Sequence, residues 1–417
     1  MRSSVSHKQC EAVFRINIEV YKMIESPNSI KTNSLAELVA IRAAENAGYL
    51  TVGSKKYFAG QLEGKRNGQT YRFVVKDTGE AKNSLTISVG DDVSITEREV
   101  ALSLEPWHVA VNTNAVEAIT DMDLDKEVAE PNGQKLIQAV VRKQIDKDLG
   151  KVGTAFVGSG FAPLSQASAH LASITNEELY GFVDPNVEAI LTSNGQMFVP
   201  VSAPDMYSKG LLGKFHGAEY RAQRFIPNVV ISKALADEFE AGVTTGGYDD
   251  NGDGTGTLYL NGVTEVIKKG TPIWVEGIMA CDMIGDPTAQ EHAWVALEDS
   301  SNGSVKVAAI DNSKNATRDI AAEDGSAITD FDDKKAYIPE AGKYFGGLIR
   351  CNGAMEFETL DKIDAAGSDY KKETVEGITV HENKLVDLKN MTNWTRFDTI
   401  TLAGVVEPRG VAYFLVK

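Results

Sequence analysis

Three oxygen-bearing side chains at alternate positions are the first feature of this sequence that could do chemistry. In GGYDDNGDGTGTLYLNG, residues 246–262, they are Asp249, Asn251 and Asp253, and Gly254 follows directly. A calcium loop of the helix–loop–helix kind begins this way, with oxygen ligands at its first, third and fifth positions and a glycine at its sixth. The spacing therefore raises the question of a cation site.

The residues around this loop favour a turn between two strands. A calcium loop needs a Glu at its twelfth position to complete the cage, and that position here is Leu260. The segment TLYLNG that follows is typical of a strand, where a calcium loop would continue into a helix. We therefore predict a hairpin or linker loop, and we keep Asp249, Asn251 and Asp253 as candidates for a weak cation site.

No arrangement of side chains in the sequence predicts catalysis. The six histidines are far apart, and none has HxH or HExxH spacing. Neither a GxSxG nucleophile elbow nor a GxxxxGK phosphate loop is present. Asp121, Asp123 and Asp125 could hold a metal or do acid–base chemistry, but a solvated helix cap is the simpler interpretation. We predict a protein that is not an enzyme, with no catalytic residues and no cofactor.

Composition limits the class of protein further. The 417 residues are 42% hydrophobic and 24% charged, which is typical of a globular chain with two or three folding units. A net charge of −17 without a dense Lys/Arg cluster argues against sequence-specific nucleic-acid binding, which needs a basic face. No apolar run approaches the roughly 18 residues of a membrane span, and no secretory signal is recognisable. The three scattered cysteines predict free thiols in a reducing compartment.

The N-terminal part of the chain changes from helical to alternating periodicity. Residues 8–47 are predicted to be helical, most clearly in SLAELVAIRAAENAGYL, where Ser34 can cap the start and Gly48 can end the helix. Two runs with alternating apolar residues follow, YRFVV at 71–75 and LTISV at 85–89, and they predict a long hairpin arm. Because an isolated hairpin is only marginally stable in water, we expect this arm to lie on something else.

The central part predicts one long helix and then a β-rich segment. An apolar stripe over about four turns predicts a helix in GQKLIQAVVRKQIDKDLGKVGTAF, residues 133–156. Beyond it, SQASAHLASI is predicted to be a helix, NEELYGFV a helix end and NVEAILTSN a strand. Residues 243–340 are rich in Gly and Asp, and the runs GTLYLNG, TPIWVEG, AWVALED and SVKVAAI predict a small barrel or sandwich. The last segment, FDTITLAGVVEPRGVAYFLVK, predicts two paired strands.

The order of these parts resembles that of the major capsid (coat) proteins of tailed bacteriophages, in particular the short-tailed-phage type with an inserted β-barrel domain. One segment is similar to the family's strand followed by its long helix: REVALSLEPWHVAVNTNAVEAITDMDLDKEVAEPNGQKLIQAVVRKQIDKDLGKV. Three more resemble the stretch before the insertion, the insertion strands and the closing segment: SKGLLGKFHGAEYRAQRFIPNVV, LYLNGVTEVIKKGTPIWVEGIMACDMIGDPTAQEHAWVAL and TVEGITVHENKLVDLKNMTNWTRFDTITLAGVVEPRGVAYFLV. Together these segments cover about two fifths of the chain.

The resemblance implies an α+β fold, the Johnson or Hong-Kong-type capsid fold. It implies an N-terminal helical arm at 1–49 and an extended β-hairpin loop at 50–99. A peripheral domain with a long spine helix would comprise 100–157 and 345–390, and an axial domain 158–235 and 391–417. The inserted small β-barrel domain would span 236–344.

The resemblance also implies a function. The chain would self-assemble through hexamers and pentamers into the icosahedral shell that encloses double-stranded DNA, without sequence-specific DNA binding and without a membrane. Its partners would be copies of itself, a scaffolding protein, a portal protein and, as a further candidate, a decoration protein. A precursor shell would form on scaffolding protein in the host cytoplasm and expand as DNA is packaged into the virion.

Two alternatives from other functional classes stay open at this point. The first is a calcium-dependent extracellular binding or adhesion protein built around the β-rich segment and the loop with Asp249, Asn251 and Asp253. The second is a hydrolytic enzyme that uses Asp121, Asp123 and Asp125, although no His or Cys lies beside them in the sequence.

Overall fold

The computed structural model describes residues 35–55, 70–76, 97–114, 124–193, 211–312, 318–360, 369–387 and 392–417. The fold is mixed α+β, and the described strands form three sheets. The chain divides into two compact units. The first contains the described residues within 1–47, 106–139 and 359–401, and the second those within 48–105, 140–358 and 402–417.

The helices are α1 (Leu35–Asn46), α2 (Gly48–Thr51), α3 (Leu124–Leu149), α4 (Ala162–Ile174), α5 (Pro185–Ser193) and α6 (Lys233–Gly242), with a 3-10 turn at Pro408–Gly410. The first strands are β1 (Ser54–Lys55), β2 (Thr70–Lys76), β3 (Glu97–Asn114), β4 (Thr154–Gly158), β5 (Leu179–Val183), β6 (Leu211–Phe215), β7 (Ala218–Ala222) and β8 (Val229–Ile231). Next come β9 (Thr244–Asp250), β10 (Thr255–Asn261), β11 (Pro272–Cys281), β12 (Pro287–Val295), β13 (Ser304–Ala308), β14 (Ile320–Ala322) and β15 (Asp332–Tyr337). The last are β16 (Gly342–Cys351), β17 (Met355–Thr359), β18 (Asp369–Val375), β19 (Ile378–Asp387), β20 (Thr392–Val405) and β21 (Val411–Val416).

The first unit is built around α1, which packs on the antiparallel strands β18 and β19. The buried face of α1 is rich in alanine, so that neighbouring backbone can approach closely. A Cβ on Gly133 of α3 would lie 2.6 Å from the Val39 carbonyl oxygen, which means that only glycine fits where these two helices cross. The buried Glu382 carboxylate accepts a hydrogen bond from the Ala36 N–H (3.0 Å), where the helix dipole favours a negative charge.

In the second unit, one sheet has the order β4-β21-β16-β5-β7-β6, with β8 beside β16. Every residue of the C-terminal strand β21 is buried, because the strand is central in this sheet and α4 packs against it. Two glycines permit close packing in this sheet. A Cβ on Gly347 would lie 2.2 Å from Phe414 Cζ, and a Cβ on Gly181 would lie 2.3 Å from the Tyr220 ring.

A further sheet of the second unit has the order β12-β11-β15-β9-β10-β13, and all of its strands lie within 244–337. The two edge strands of this sheet are also linked, because the N–H of Leu297, just after β12, donates to the carbonyl of Lys306 in β13 (2.9 Å). The four runs predicted to be strands here are confirmed as β10, β11, β12 and β13. The proposed limits of an inserted domain at 236–344, like those of the other domains, stay predictions.

Several predicted elements are corrected by the structure. NEELYGFV contains strand β5, and NVEAILTSN forms helix α5, because Asp184 accepts from the Asn186 N–H (2.8 Å) and the buried Val187 and Leu191 have helical spacing. The long helix begins at Leu124 and ends at Leu149, before 150–153, so its predicted last residues lie in a loop and in β4. The final two strands do not pair with each other, since β21 pairs with β16 and β4 while β20 pairs with β19.

The strand at 70–76 has a partner that the sequence analysis did not name. β2 pairs antiparallel with the start of β3, from Thr70 opposite Ser103 to Lys76 opposite Glu97. The predicted hairpin partner at 85–89 lies outside the described residues, as do residues 8–34 of the predicted N-terminal helix. The helix predicted around 35–47 is confirmed, although it ends at Asn46 and Gly48 begins a second short turn.

Two further expectations concern the membrane and the cysteines. Among the described residues, no helix is both long and apolar enough to cross a membrane. Cys281 and Cys351 are free thiols, and both are buried.

The close packing of Gly347 predicts a stability difference between two strand glycines. Gly347→Ala should lower the free energy of unfolding by about 1–3 kcal/mol, because its Cβ would overlap the fully buried Phe414 ring. Gly158→Ala is the matched control, since its Cβ would meet Pro163 at an ordinary 3.4 Å, and it should change stability by about 0.5 kcal/mol or less. Urea unfolding of the two unassembled variants measures the difference, and equal effects would contradict this packing.

Candidate functional site

The loop with the candidate cation ligands is the turn of the β9–β10 hairpin. Thr257 lies opposite Asp249, and the Asn251 N–H donates to the Thr255 carbonyl (2.9 Å), so the hairpin prediction is confirmed. Asp253 Oδ1 accepts from both the backbone N–H and the hydroxyl of Thr255, at 2.9 and 2.5 Å. These bonds direct the Asp253 carboxylate into the turn.

The structure does not join the candidate residues into a cation site. In the described ranges, no three His, Cys, Asp or Glu side chains are grouped so that they could hold a metal ion. Cation binding by Asp249, Asn251 and Asp253 stays a prediction. Of the other acidic candidates, Asp121 and Asp123 lie outside the described residues, and Asp125 lies in the first turn of α3.

A buried charged cluster in the second unit was not predicted. Arg350 of β16 is 3% exposed, and its guanidinium lies over the rings of Tyr49 and Phe182, at 4.9 and 4.7 Å from their centroids. It donates to the carbonyl oxygens of Tyr49 and Val52, the latter at 2.6 Å. Arg350 therefore fixes the short helix α2 and its exit against the sheet.

The carboxylate that balances Arg350 comes from the last turn of α3. Asp148 is 2% exposed and accepts from the Tyr49 hydroxyl and from the Gln144 amide, each at 2.5 Å. Burial raises the pKa of Asp148, although Arg350 and these hydrogen bonds act in the opposite direction. Burial also raises the pKa of Tyr49 and lowers that of Arg350. Because the cluster is closed to solvent, its role is to join three segments, and it offers no surface to a substrate.

A buried histidine marks the place where the end of α3 meets the β-rich sheet. His292 of β12 is 3% exposed, and its ring packs edge-on against Trp294 with centroids 4.7 Å apart. Burial lowers the pKa of His292 to about 4, and a hydrogen bond with the Gly153 backbone offsets this only partly. A small cavity beside the ring is lined by residues 149–153 and 293–295, among others. The imidazole is therefore neutral at physiological pH.

The long strand β3 has an apolar face that the described residues cover incompletely. It contains 18 residues and so extends about 60 Å, at about 3.3 Å per residue, whereas most strands have 3–10 residues. After the exposed Pro106, exposed and partly exposed residues alternate, and the partly exposed positions are Trp107, Val109 and Val111. The Trp107 indole N–H donates to the Thr401 hydroxyl (3.2 Å).

Two lysines of α3 hold the middle of this strand. Glu105 accepts from Lys147 at 2.5 Å and from Lys143 at 3.1 Å. Burial would raise the pKa of Glu105, but these two hydrogen bonds and the positive charges of the two lysines together outweigh it and lower the pKa. The pairing fixes the strand to the helix on one side of Pro106, while the residues beyond Pro106 belong to the other unit.

No known family profile matches this chain. No curated protein matches it either. It is similar to solved structures titled "Capsid of Ralstonia phage GP4" (8% identity, 87% of this chain, 91% of that chain, TM-score 0.44) and "Mycobacterium phage Che8" (11%, 87%, 89%, 0.42). A third is titled "Acidic stable capsid structure of Helicobacter pylori bacteriophage KHP30" (8%, 88%, 87%, 0.43).

The buried cluster predicts that removing its arginine costs far more stability than breaking an exposed ion pair. Arg350→Met should lower the free energy of unfolding by about 3–5 kcal/mol, because it removes the buried hydrogen bonds to the Tyr49 and Val52 carbonyls and the positive charge that offsets the buried Asp148 carboxylate. Adding Asp148→Asn should recover part of that loss. Lys268→Met is the control, since it breaks a pair with Asp299 whose side chains are half exposed, and it should cost about 0–1 kcal/mol. Urea unfolding of all four chains measures these differences, and similar losses for the two Met variants would contradict the assignment.

His292 predicts a pH dependence of stability with a defined sign. Its pKa in the folded chain, about 4, lies below the ordinary value of 6.5, so its stabilising contribution is complete above pH 6.5 and is lost as the pH falls towards 4. The loss is about 3 kcal/mol, at about 1.4 kcal/mol per pKa unit. In His292→Gln this part of the acid destabilisation should disappear, although the buried His170, with a pKa of about 4, still contributes its own.

The control for this measurement is an exposed histidine. His216→Asn should follow the profile of the unaltered chain, and Asn tolerates the positive φ of 47° at this position. Denaturant midpoints between pH 7 and 4 supply the data, and an equally steep acid loss in His292→Gln would overturn the assignment.

Proposed function

We propose that this chain is the major capsid protein of a tailed bacteriophage. It self-assembles into a closed shell in which each subunit covers surfaces that a single chain leaves open. The chain is a structural protein, and assembly is its activity. The resemblance of its segments to phage coat proteins suggested this function, and the described residues supply the physical argument for it.

The observation that carries the proposal is the incompletely covered strand β3. Trp107, Val109 and Val111 are apolar residues on one face of a long strand, and each stays partly exposed. Exposed apolar faces are surfaces through which chains associate. A neighbouring copy that lies against this part of β3 would bury these side chains.

The buried clusters support the same proposal from another direction. A subunit that exchanges contacts during assembly must keep its own core intact. Arg350 and Asp148 lock α2, α3 and the sheet together through bonds that no partner needs to reach. The described charged and polar clusters therefore serve packing, which fits a structural protein better than a catalytic one.

The finer features follow from the proposed family. The subunit is of the short-tailed-phage type, with the long spine helix α3, an axial domain and an inserted β domain at 236–344. Five or six copies form rings through head-to-tail contacts, which close when the rotation between copies is regular. A precursor shell forms on scaffolding protein with a portal protein, expands by rigid-body shifts of subunits as DNA enters, and accepts a decoration protein. The net charge of −17 suits a shell that encloses DNA without binding it tightly, because like charges repel.

The proposal predicts that one residue of β3 is needed for assembly and its neighbour is not. The full chain, expressed with scaffolding protein, should form closed particles in electron micrographs. Val109→Asp should reduce the particle yield about tenfold or more, because it places a charge in an interface that must become dry.

His108→Asp is the matched control, since His108 lies on the opposite, exposed face of the same strand. Circular dichroism of the unassembled chains checks that both variants fold. A chain that stays monomeric with scaffolding protein present would refute the proposed function, and equal yields for the two variants would refute the role of this face.

A further inference from the structure

The tip of the β11–β12 hairpin, residues 282–286, is held unusually firmly for an exposed turn. Asp282 Oδ1 accepts from the N–H groups of Ile284 and Asp286, each at 2.9 Å. The Asp282 N–H donates to the Asp286 carbonyl (2.8 Å) and so closes the turn. The backbone of this 282–286 tip is therefore ordered by its own hydrogen bonds.

Two buried arginines from other parts of the chain also hold the 282–286 tip. Arg409 is 4% exposed and donates to the Asp282 carbonyl (2.7 Å) while Glu407 neutralises it at 2.8 Å. Arg318 is 8% exposed and donates from Nε to the Gly285 carbonyl (2.6 Å). Burying a guanidinium is costly unless it is well bonded. Because two buried guanidinium groups bond to this one turn, we infer that its position is important for the function of the chain.

The firmly held turn presents one large apolar side chain to solvent. Ile284 is 54% exposed, although its branched side chain lies on backbone that is fixed from three directions. Acidic residues surround it. Asp286 is exposed, and Arg318 also donates to the Gly325 carbonyl (2.8 Å), which brings the exposed Glu323 and Asp324 beside the tip. The tip is thus a rigid apolar knob within a negative rim.

A second surface of the same unit has the opposite charge. Phe225 is 37% exposed and has a φ of 78°, a strained conformation for an aromatic residue. The surrounding segment 220–236 contains no Asp or Glu, and its Arg224 and Lys233 are exposed. Val230, 57% exposed, lies opposite the exposed Lys343 in the β8–β16 pair. We call residues 224–230 with Lys343 the 224–230 surface: its exposed apolar residues are Phe225 and Val230, and its exposed charged residues are Arg224 and Lys343.

We propose that the 282–286 tip of one chain docks on the 224–230 surface of a second copy. Ile284 would contact Phe225 and Val230, while the acidic rim faces Arg224 and Lys343. Because the two surfaces differ, the contact generates a ring or an open array when each copy uses its tip and its 224–230 surface on different neighbours. The opposite charges of the two surfaces favour this pairing over others. Ile284, which is already held in position, supplies the apolar contact that contributes most of the affinity. This inference rests on the proposed function, because it needs a chain that assembles with itself.

The first test compares two exposed apolar residues in the full chain expressed with scaffolding protein. Ile284→Asp should raise the chain concentration needed for particle formation about tenfold or more. Val266→Asp is the matched control, since Val266 is 46% exposed and lies outside both surfaces. Particle formation is followed by light scattering and electron microscopy, and unfolding midpoints of the unassembled chains check that both variants fold.

The second test exchanges charges across the proposed contact. Arg224→Glu alone should impair assembly, and so should Asp286→Lys alone. The chain that carries both substitutions should assemble better than either single variant, because opposite charges again face each other. A gain of about tenfold over the single variants is the expected result.

The outcomes separate this inference from the proposed function. Particles from the unaltered chain, a defect in Ile284→Asp alone and recovery in the charge exchange support the contact. Normal assembly of folded Ile284→Asp, equal defects in Ile284→Asp and Val266→Asp, or no recovery in the charge exchange overturn it while the capsid function stands. No particles from the unaltered chain overturn both.

Discussion

A charge removed from water must be paired, and this constraint determines how distant segments of the chain are joined. Arg350, Asp148 and Tyr49 are far apart in sequence, yet each depends on the others once buried. Removing a single member would leave a buried group without its partner, which is far more destabilising than losing an exposed ion pair. The same rule explains why Glu382 lies at the N-terminus of α1, where the Ala36 N–H and the helix dipole stabilise its carboxylate.

The sequence predicted those elements whose evidence is local. Helix α1 and the strands β10 to β13 were found because periodicity and turn residues are visible within a few positions. The assignments of β5 and α5 were wrong because both segments are short and apolar, and length and alternation do not separate them. Asp184 before Pro185 was the available signal, since this pair commonly begins a helix.

Pairing and burial depend on contacts that sequence spacing does not contain. The two C-terminal strands were expected to pair with each other, but β21 is drawn into the centre of another sheet by partners far away in sequence. The buried cluster was missed for the same reason. A lone arginine in the apolar run GGLIRC was a detectable hint at Arg350, but nothing in the sequence named Asp148 as the carboxylate beside it. The candidate cation loop was correctly placed in a hairpin because Leu260 and the following strand pattern are local signals.

The same buried-charge rule distinguishes the interior of this chain from its surface. Around Arg350, Tyr49 and Asp148, every segment that contributes a bond belongs to this chain, and the result is a closed core. At the 282–286 tip, Arg318 and Arg409 are also buried, but the turn that they order carries an exposed isoleucine. Ordering an exposed turn adds little to the stability of a solitary chain, because the turn buries little apolar surface of its own. A turn that is already ordered loses less conformational entropy when a second molecule binds to it. Binding of a second copy at the 282–286 tip therefore gives the rigidity of this turn a function.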